Sequence, residues 1–293
     1  MSVINTNVNS LVAQNALTVT NRSMSQSMQQ LSTGKRINGA KDDAAGLAIA
    51  SKMTAQIRGL NMAVRHGNDA ISLIQVAEGA TNEISNMLQR MRELAVQSAN
   101  DTYATSDRAD MDTEFKQLGE EIDRVAKNTQ WNKMDLLSGT AGAGGTGSGS
   151  GTLNFQIGAN NGSGQRISIT LQDLQTSNSA GLNISYSSAT TSGSFNVKNQ
   201  ANAQSAIDSL DDAITFLNTQ RADMGAKINR LTYAVDNLTN VSENTSASRS
   251  RIEDADYAAV SRELARTQIL SQAGTAMLAQ ANQQPQSVLA LLK

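Results

Sequence analysis

The sequence predicts a mainly α-helical protein, a long antiparallel helical bundle or coiled coil in which both termini pair, with a small β-rich insert at its centre. Three observations carry that prediction. Aromatic residues make up only 3% of the 293, too few for a core filled with bulky rings, whereas small and aliphatic side chains interdigitate well along a helix-on-helix seam. Pro285 is the one proline, so helices can run far without a ring that breaks their hydrogen-bond ladder. Apolar residues recur at heptad spacing on both sides of a Gly- and Ser-rich middle.

Residues 46–137 hold the first half of the helical core. One stripe runs Ile71, Ile74, Ala77, Thr81, Ile84, Leu88, Met91, Ala95 and Ser98. A further helix over Ser106–Asn128 turns Phe115, Leu118, Ile122 and Val125 to one side, and Asp107 near its start suits the helix dipole. Residues 138–200 differ in kind. Ser138–Gly151 reads SGTAGAGGTGSGSG, a flexible linker unable to bury a core. The runs TLNFQIGAN, RISITLQDL, GLNISYS and GSFNVKN then alternate as strands do, between Gly, Ser and Asn. Low complexity implies that Ala141–Asn199 can be replaced by a short linker without loss of self-assembly, the junction run Thr152–Asn160 being the part to keep. Residues 201–250 return to helix through Ile207, Leu210, Ile214, Leu217, Met224, Ile228, Leu231, Val235 and Leu238, with Arg221 in one seam position. Two stripes flanking an insert are expected to face each other in an antiparallel bundle.

The two ends, residues 1–45 and 251–293, have a thinner pattern. Leu17, Met24 and Leu31 form the N-terminal line; Tyr257, Val260, Leu264, Thr267, Ser271, Gly274, Leu278 and Ala281 form the C-terminal one, and Leu289, Leu291 and Leu292 lie at the end of the sequence. An ordinary two-helix hairpin is one reading. The other is a pair of assembly helices that order only on polymerisation, since so little apolar surface does not offset the entropy of ordering.

Charge and composition exclude several functions. A formal net charge of −2 and a pI near 5.5 leave no basic footprint for nucleic acid. No apolar run is long enough for membrane insertion, and the start, MSVINTN, lacks the charged and apolar regions of a cleavable signal. Without cysteine there is neither a disulfide framework nor a thiolate metal site. The single histidine, His66, has no zinc-ligand spacing around it. The Gly-rich stretch lacks the Lys-Ser/Thr of a phosphate loop. The carboxylate pairs Asp42/Asp43, Glu120/Glu121 and Asp211/Asp212 are sequence neighbours, which do not share a helix face. No enzyme, cofactor or metal is expected.

Several segments together resemble bacterial flagellins. INTNVNSLVAQNALTVTN (Ile4–Asn21) is similar to that family's opening. LSTGKRINGAKDDAAGLAIASKM (Leu31–Met53) resembles its helix-to-spoke connection, with Gly34, Gly39 and Gly46 breaking the helix. LQRMRELAVQSAND (Leu88–Asp101) resembles its most characteristic helix, EIDRVAKNTQWN (Glu121–Asn132) its next landmark, and Arg251–Lys293 its end. In the insert only FQIGAN (Phe155–Asn160) matches. Trp131 stands where Phe is usual, and Lys133 where Gly is usual, which bears on the turn before Leu136.

The resemblance implies a self-polymerising subunit of the extracellular flagellar filament, a secreted protein of bacterial motility that leaves by type III export without a cleavable signal. Its implied partners are other copies of itself, an export chaperone, hook-associated and cap proteins, and the vertebrate Toll-like receptor of innate immune recognition. The weaker likeness of hook–filament junction proteins at both ends is the alternative within the same class. Gln89, Arg90, Glu93, Leu94 and Gln97, with Ala95 and Val96, match the motif used both for subunit contacts and for the receptor, and Glu114 matches a position on the next helix. Leu94, off the stripe of Leu88, Met91 and Ala95, is expected to be an exposed leucine flanked by charge. The resemblance assigns terminal assembly to Leu17, Met24, Leu31, Val260, Leu264, Leu278, Leu289, Leu291 and Leu292.

Overall fold

The computed structural model describes residues 7–139, 150–176, 182, 184 and 195–291, with 150, 163 and 284–291 described by backbone alone. Five helices dominate these residues. Helix α1 (Val8–Thr33) begins at Asn7, whose side-chain oxygen accepts the Ser10 N–H at 3.1 Å. It stops at Gly34, where φ is +70°, a left-handed conformation that side-chain-bearing residues resist. Helix α2 (Ala44–Ser98) is capped by Asp43, whose carboxylate accepts the Gly46 N–H at 2.9 Å while its carbonyl accepts from Leu47. The expectation that Gly46 breaks the helix is therefore corrected: it lies in the first turn of α2. A Cβ there would sit 2.6 Å from Ile37 Cδ1, so the glycine provides room rather than a bend.

Helix α3 (Thr105–Asn128) falls where the periodicity predicts, and the Asp107 carboxylate reaches back to the Ala104 N–H at 3.1 Å. Strands β1 (Gln130–Trp131) and β2 (Met134–Asp135) form a minute hairpin whose two loop residues, Asn132 and Lys133, have φ of 49° and 64°. Positive φ at both positions is the mark of a type I′ turn. Lys133 therefore accepts a backbone conformation costing about 1–2 kcal/mol relative to glycine, and the turn forms in spite of it. Strands β3 (Ser150–Gln156) and β4 (Arg166–Gln172) pair antiparallel from Ser150↔Gln172 to Gln156↔Arg166. Helix α4 (Gln200–Glu253) starts from Asn199, whose Oδ1 accepts the Asn202 N–H at 2.8 Å. Helix α5 (Tyr257–Leu291) starts from Asp256, whose Oδ1 accepts from Ala258 and Ala259.

The chain divides into two compact units, one from Arg58 to Ser242 and the other made of the two ends, up to Ile57 and from Glu243. The boundaries fall inside α2 and α4. In the Arg58–Ser242 unit, Ile74, Ala77, Ile84, Leu88, Met91 and Ala95 are fully buried in one core with Phe115 and Ile122 of α3 and Leu210, Leu217 and Leu231 of α4, and the polar stripe members Thr81 and Ser98 are buried as well. Arg221 is half-buried, and among the described residues its buried Nε has no hydrogen-bond partner.

The described part of the insert packs with the helices. Ile157, Ile167, Ile169, Leu171, Leu174, Leu182, Ile184 and Val197 belong to the same buried cluster as the helices. The hairpin loop presses Ala159 against α2 at Gly59, where an added Cβ would lie 3.0 Å from the alanine's own. The first two strand-like runs fold as β3 and β4. Of GLNISYS, only Leu182 and Ile184 are described, and the described part of GSFNVKN is not a strand. Its backbone is satisfied instead by side chains: the Val197 N–H donates to Asp112 Oδ1 at 3.2 Å, and the Val197 carbonyl accepts from Ser98 Oγ. Asp112, a carboxylate 1% exposed, also pairs with Lys116 at 2.6 Å and Lys198 at 3.9 Å. That cluster pins the return of the chain into α4.

In the unit of the two ends, α1 and α5 lie side by side. Asn7 Nδ2 donates to the Ala281 carbonyl at 2.7 Å, Ser271 Oγ to Asn21 Oδ1 at 3.3 Å, and Tyr257 OH to the Leu31 carbonyl at 3.4 Å. Below them, the Arg36 N–H donates to the Glu253 carbonyl at 2.7 Å and the Ala255 N–H to that of Gly34 at 2.9 Å, while Lys35 pairs with Glu253. Among the described residues Ser27 is the buried residue of α1 and Thr267 that of α5. Two helices alone cannot enclose a seam.

Candidate assembly surfaces

The first surface is the α1–α5 pair. Leu17, Met24 and Leu31 and, on the partner helix, Val260, Leu264 and Leu278 are all half-buried. Small residues bring the helices close: a Cβ at Gly274 would lie 2.8 Å from Leu17 Cδ1. Beside them runs an apolar groove of about 550 Å³, with Val12, Ala16, Leu17, Leu270, Gly274 and Met277 in its lining. The outer faces are more apolar than soluble helices usually show. Val8, Leu11, Val12, Val19 and Met28 on α1, and Ile269, Leu270 and Met277 on α5, are exposed, Val12 by 62% and Met277 by 65%. Such contiguous exposure marks an interaction surface. Reading the seam alone missed these residues. Their signal is a second heptad stripe, since Val12 and Val19, like Leu270 and Met277, stand one heptad apart. Leu289 and Leu291 lie within the α5 backbone, and Leu292 lies outside the described residues.

The second surface is the junction of α2 and α3. Gln89, Arg90, Glu93 and Gln97 are exposed, as is Val96. Arg90 gathers the site: its Nε donates to Glu114 Oε1 at 2.9 Å and its Nη1 to Glu93 Oε2 at 3.0 Å. The Glu114 carboxylate first, then Glu93, raises the guanidinium above its ordinary pKa. Gln97 donates to the Tyr103 hydroxyl at 3.2 Å. Exposed pairs of this kind add little stability, so they fix a charge pattern rather than a fold.

Leu94 is the correction at this surface. It is 2% exposed and belongs to the core. The stripe of Leu88, Met91 and Ala95 corresponds to an α2 covered from one side, by α4. With α3 contributing Phe115 and Ile122 to the same cluster, the buried face of α2 widens to take in Leu94. On the opposite edge Arg92, which the motif also missed, makes a bidentate pair with Asp211 of α4 and holds that carboxyl below its ordinary pKa.

Among the described residues no group of three His, Cys, Asp or Glu could hold a metal ion, and no helix is long and apolar enough to cross a membrane. Of the paired carboxylates, Asp42 and Asp43 accept from backbone N–H groups, and Glu121 from Arg124.

Known proteins match this sequence at both ends. Residues 4–142 match the bacterial flagellin N-terminal helical region, and residues 207–292 the bacterial flagellin C-terminal helical region. The chain is 44% identical over 291 residues to a flagellin of Halalkalibacterium halodurans, covering 99% of this chain and 100% of that one. It is 44% identical over 292 residues to the flagellar filament 33 kDa core protein of Treponema phagedenis, at 99% and 100% coverage. The crystal structure of Bacillus cereus flagellin is 32% identical, covers 63% of this chain and 94% of that one, and superposes with a TM-score of 0.46. With both ends matched and relatives of this identity spanning its whole length, the chain belongs to the bacterial flagellin family.

Proposed function

We propose that this chain is a structural subunit that polymerises into the flagellar filament outside the cell, after type III export, and that it catalyses nothing. The observation that carries the reading is the pair of exposed apolar stripes on α1 and α5, centred on Val12 and Met277. An isolated copy leaves them in water, whereas many copies packed side by side bury them. On this reading residues 1–45 and 251–293 are assembly segments that order on polymerisation, and 46–250 is the scaffold and insert. The same stripes are what an export chaperone covers before release and what hook-associated and cap proteins engage at the filament's ends. Replacing Val12 and Met277 with Asp is expected to leave the helical circular dichroism of the Arg58–Ser242 unit intact while abolishing sedimentable filaments after seeding. Filaments from that variant would show that the stripes are not the assembly surface.

The exposed Arg90–Glu93–Glu114 cluster favours a second role, recognition by the vertebrate Toll-like receptor for flagellin. Arg90→Ala is expected to reduce receptor signalling by at least about tenfold, roughly 1.4 kcal/mol of binding. If subunit contacts use the same face, intact filament is much less potent than an equal mass of dissociated monomer. Equal potency, with the filament shown to stay assembled, rules out the shared face.

A further inference from the structure

Two Asn-Gly pairs occur in the sequence, Asn38-Gly39 and Asn161-Gly162, and the structure holds them differently. An asparagine followed by glycine is prone to self-modification, because the glycine nitrogen meets no Cβ of its own residue as it closes on the preceding side chain. At the first pair that nitrogen is engaged. The Gly39 N–H donates to Asp42 Oδ2 at 3.1 Å, the Asn38 N–H donates to the same oxygen at 3.0 Å, and Asn38 Nδ2 donates to the Lys35 carbonyl at 2.9 Å. Nucleophile and electrophile are both fixed. The second pair lies exposed in the loop between β3 and β4. Among the described residues its Gly162 N–H has no hydrogen-bond acceptor. The Asn161 amide oxygen instead faces Arg166 Nη2 at 3.5 Å. A guanidinium there draws electron density from the amide carbon and stabilises charge developing on its oxygen.

We propose that Asn161-Gly162 is a site of spontaneous deamidation, and that Asp42 keeps Asn38-Gly39 inert. The Gly162 nitrogen attacks Asn161 Cγ, and the new C–N bond closes a five-membered succinimide. The bond between Asn161 Cγ and Nδ2 breaks, and ammonia leaves with the proton that the glycine nitrogen gives up. Water then opens the ring at either carbonyl, leaving aspartate or isoaspartate. Opening to aspartate places a carboxylate beside Arg166, and with either product each subunit gains one negative charge on its formal −2. In a polymer whose subunits are not exchanged singly, that charge accumulates with the age of the filament.

The test incubates the full-length protein, polymerised and unpolymerised, in mildly alkaline buffer and follows both sites by peptide mass spectrometry. Fragmentation that separates aspartate from isoaspartate identifies the products, and short synthetic peptides spanning each pair set the unrestrained rates. Asn161 is expected to convert within about tenfold of its peptide, and Asn38 slower than its own by more than about tenfold. Gly162→Ala tests the steric requirement. Residue 162 has extended backbone (φ −175°), and the new Cβ would lie 3.6 Å from Gln165 Cγ, an ordinary contact. That variant should fold as before and convert at Asn161 at least about tenfold more slowly. Equal retardation of the two asparagines, an unchanged Asn161 while its peptide converts, or a Gly162→Ala protein that converts as fast as wild type would each overturn the proposal.

Discussion

Within α2, neighbouring positions do opposite work. Met91 and Leu94 are buried in one core, while Arg90 between Glu93 and Glu114 is half-exposed. Met91→Ala and Leu94→Ala are each expected to destabilise the Arg58–Ser242 unit by about 2–5 kcal/mol through the cavity they leave. Arg90→Ala should change stability by no more than about 1 kcal/mol, since it removes exposed ion pairs. Denaturant unfolding of the three variants separates core from surface, and a neutral Leu94→Ala would restore the exposed-leucine reading. The Arg92–Asp211 pair adds a pH dependence. Arg92 lowers the Asp211 pKa in the folded chain, so the pair's contribution is complete above the ordinary carboxylate pKa of about 3.9 and is lost as pH falls through the depressed value. Asp211→Asn should therefore be less stable than wild type near neutrality, and the gap should close in acid. A gap that persists below a pH of about 2 would mean that the pair is not its source.

At the scale of elements, glycines along α2 show that the same residue type can be present for different reasons. A Cβ at Gly67 would lie 2.5 Å from Val235 Cγ2, where α2 and α4 approach closely, whereas nothing lies within 4 Å of one at Gly79. Replacing glycine by alanine inside a helix gains about 1 kcal/mol from propensity, but overpacking a close contact costs about 1–3 kcal/mol. The valine is β-branched and stiff, so it cannot swing away. Gly79→Ala should raise stability by up to about 1 kcal/mol, and Gly67→Ala should lower it by a similar amount or more. Thermal melts of the pair test this, and a stabilised Gly67→Ala would show that the two helices separate at no cost. The heptads of α2 and α4 were legible because burial on one side of a helix imposes a period on the sequence. The Gly67 contact was not, since the residue opposite depends on how the helices are staggered.

For the molecule as a whole, the insert is the decisive region. Residues 141–148 are a linker by composition, and excising them should alter stability by no more than about 1 kcal/mol, given how weakly closure entropy depends on loop length. Removing β3 and β4 is different, because Ile167, Ile169 and Leu171 are buried with the helices. Each fully buried aliphatic side chain contributes about 1.5–3 kcal/mol, so replacing residues 140–194 by a short linker should cost the Arg58–Ser242 unit at least about 4 kcal/mol. Circular dichroism during denaturation measures both. A scaffold as stable without the hairpin as with it would mark the insert as dispensable after all.

The sequence by itself determined the helical class, the position of the strand-forming insert, the core-facing stripes and the flagellin resemblance, because each is written in local period or in contiguous motifs. It also placed Arg90, Glu93 and Gln97 on one face, since residues three and four apart on a helix are neighbours. Only the tertiary structure decided the rest. The burial of Leu94 depends on α3 joining α2 and α4, and the contact of Arg92 with Asp211 depends on the stagger of two long helices. Asp112 holds the return from the insert through a backbone N–H 85 residues away in the sequence. Such contacts join positions remote in sequence, and a one-dimensional period records which side of an element is buried without recording what buries it.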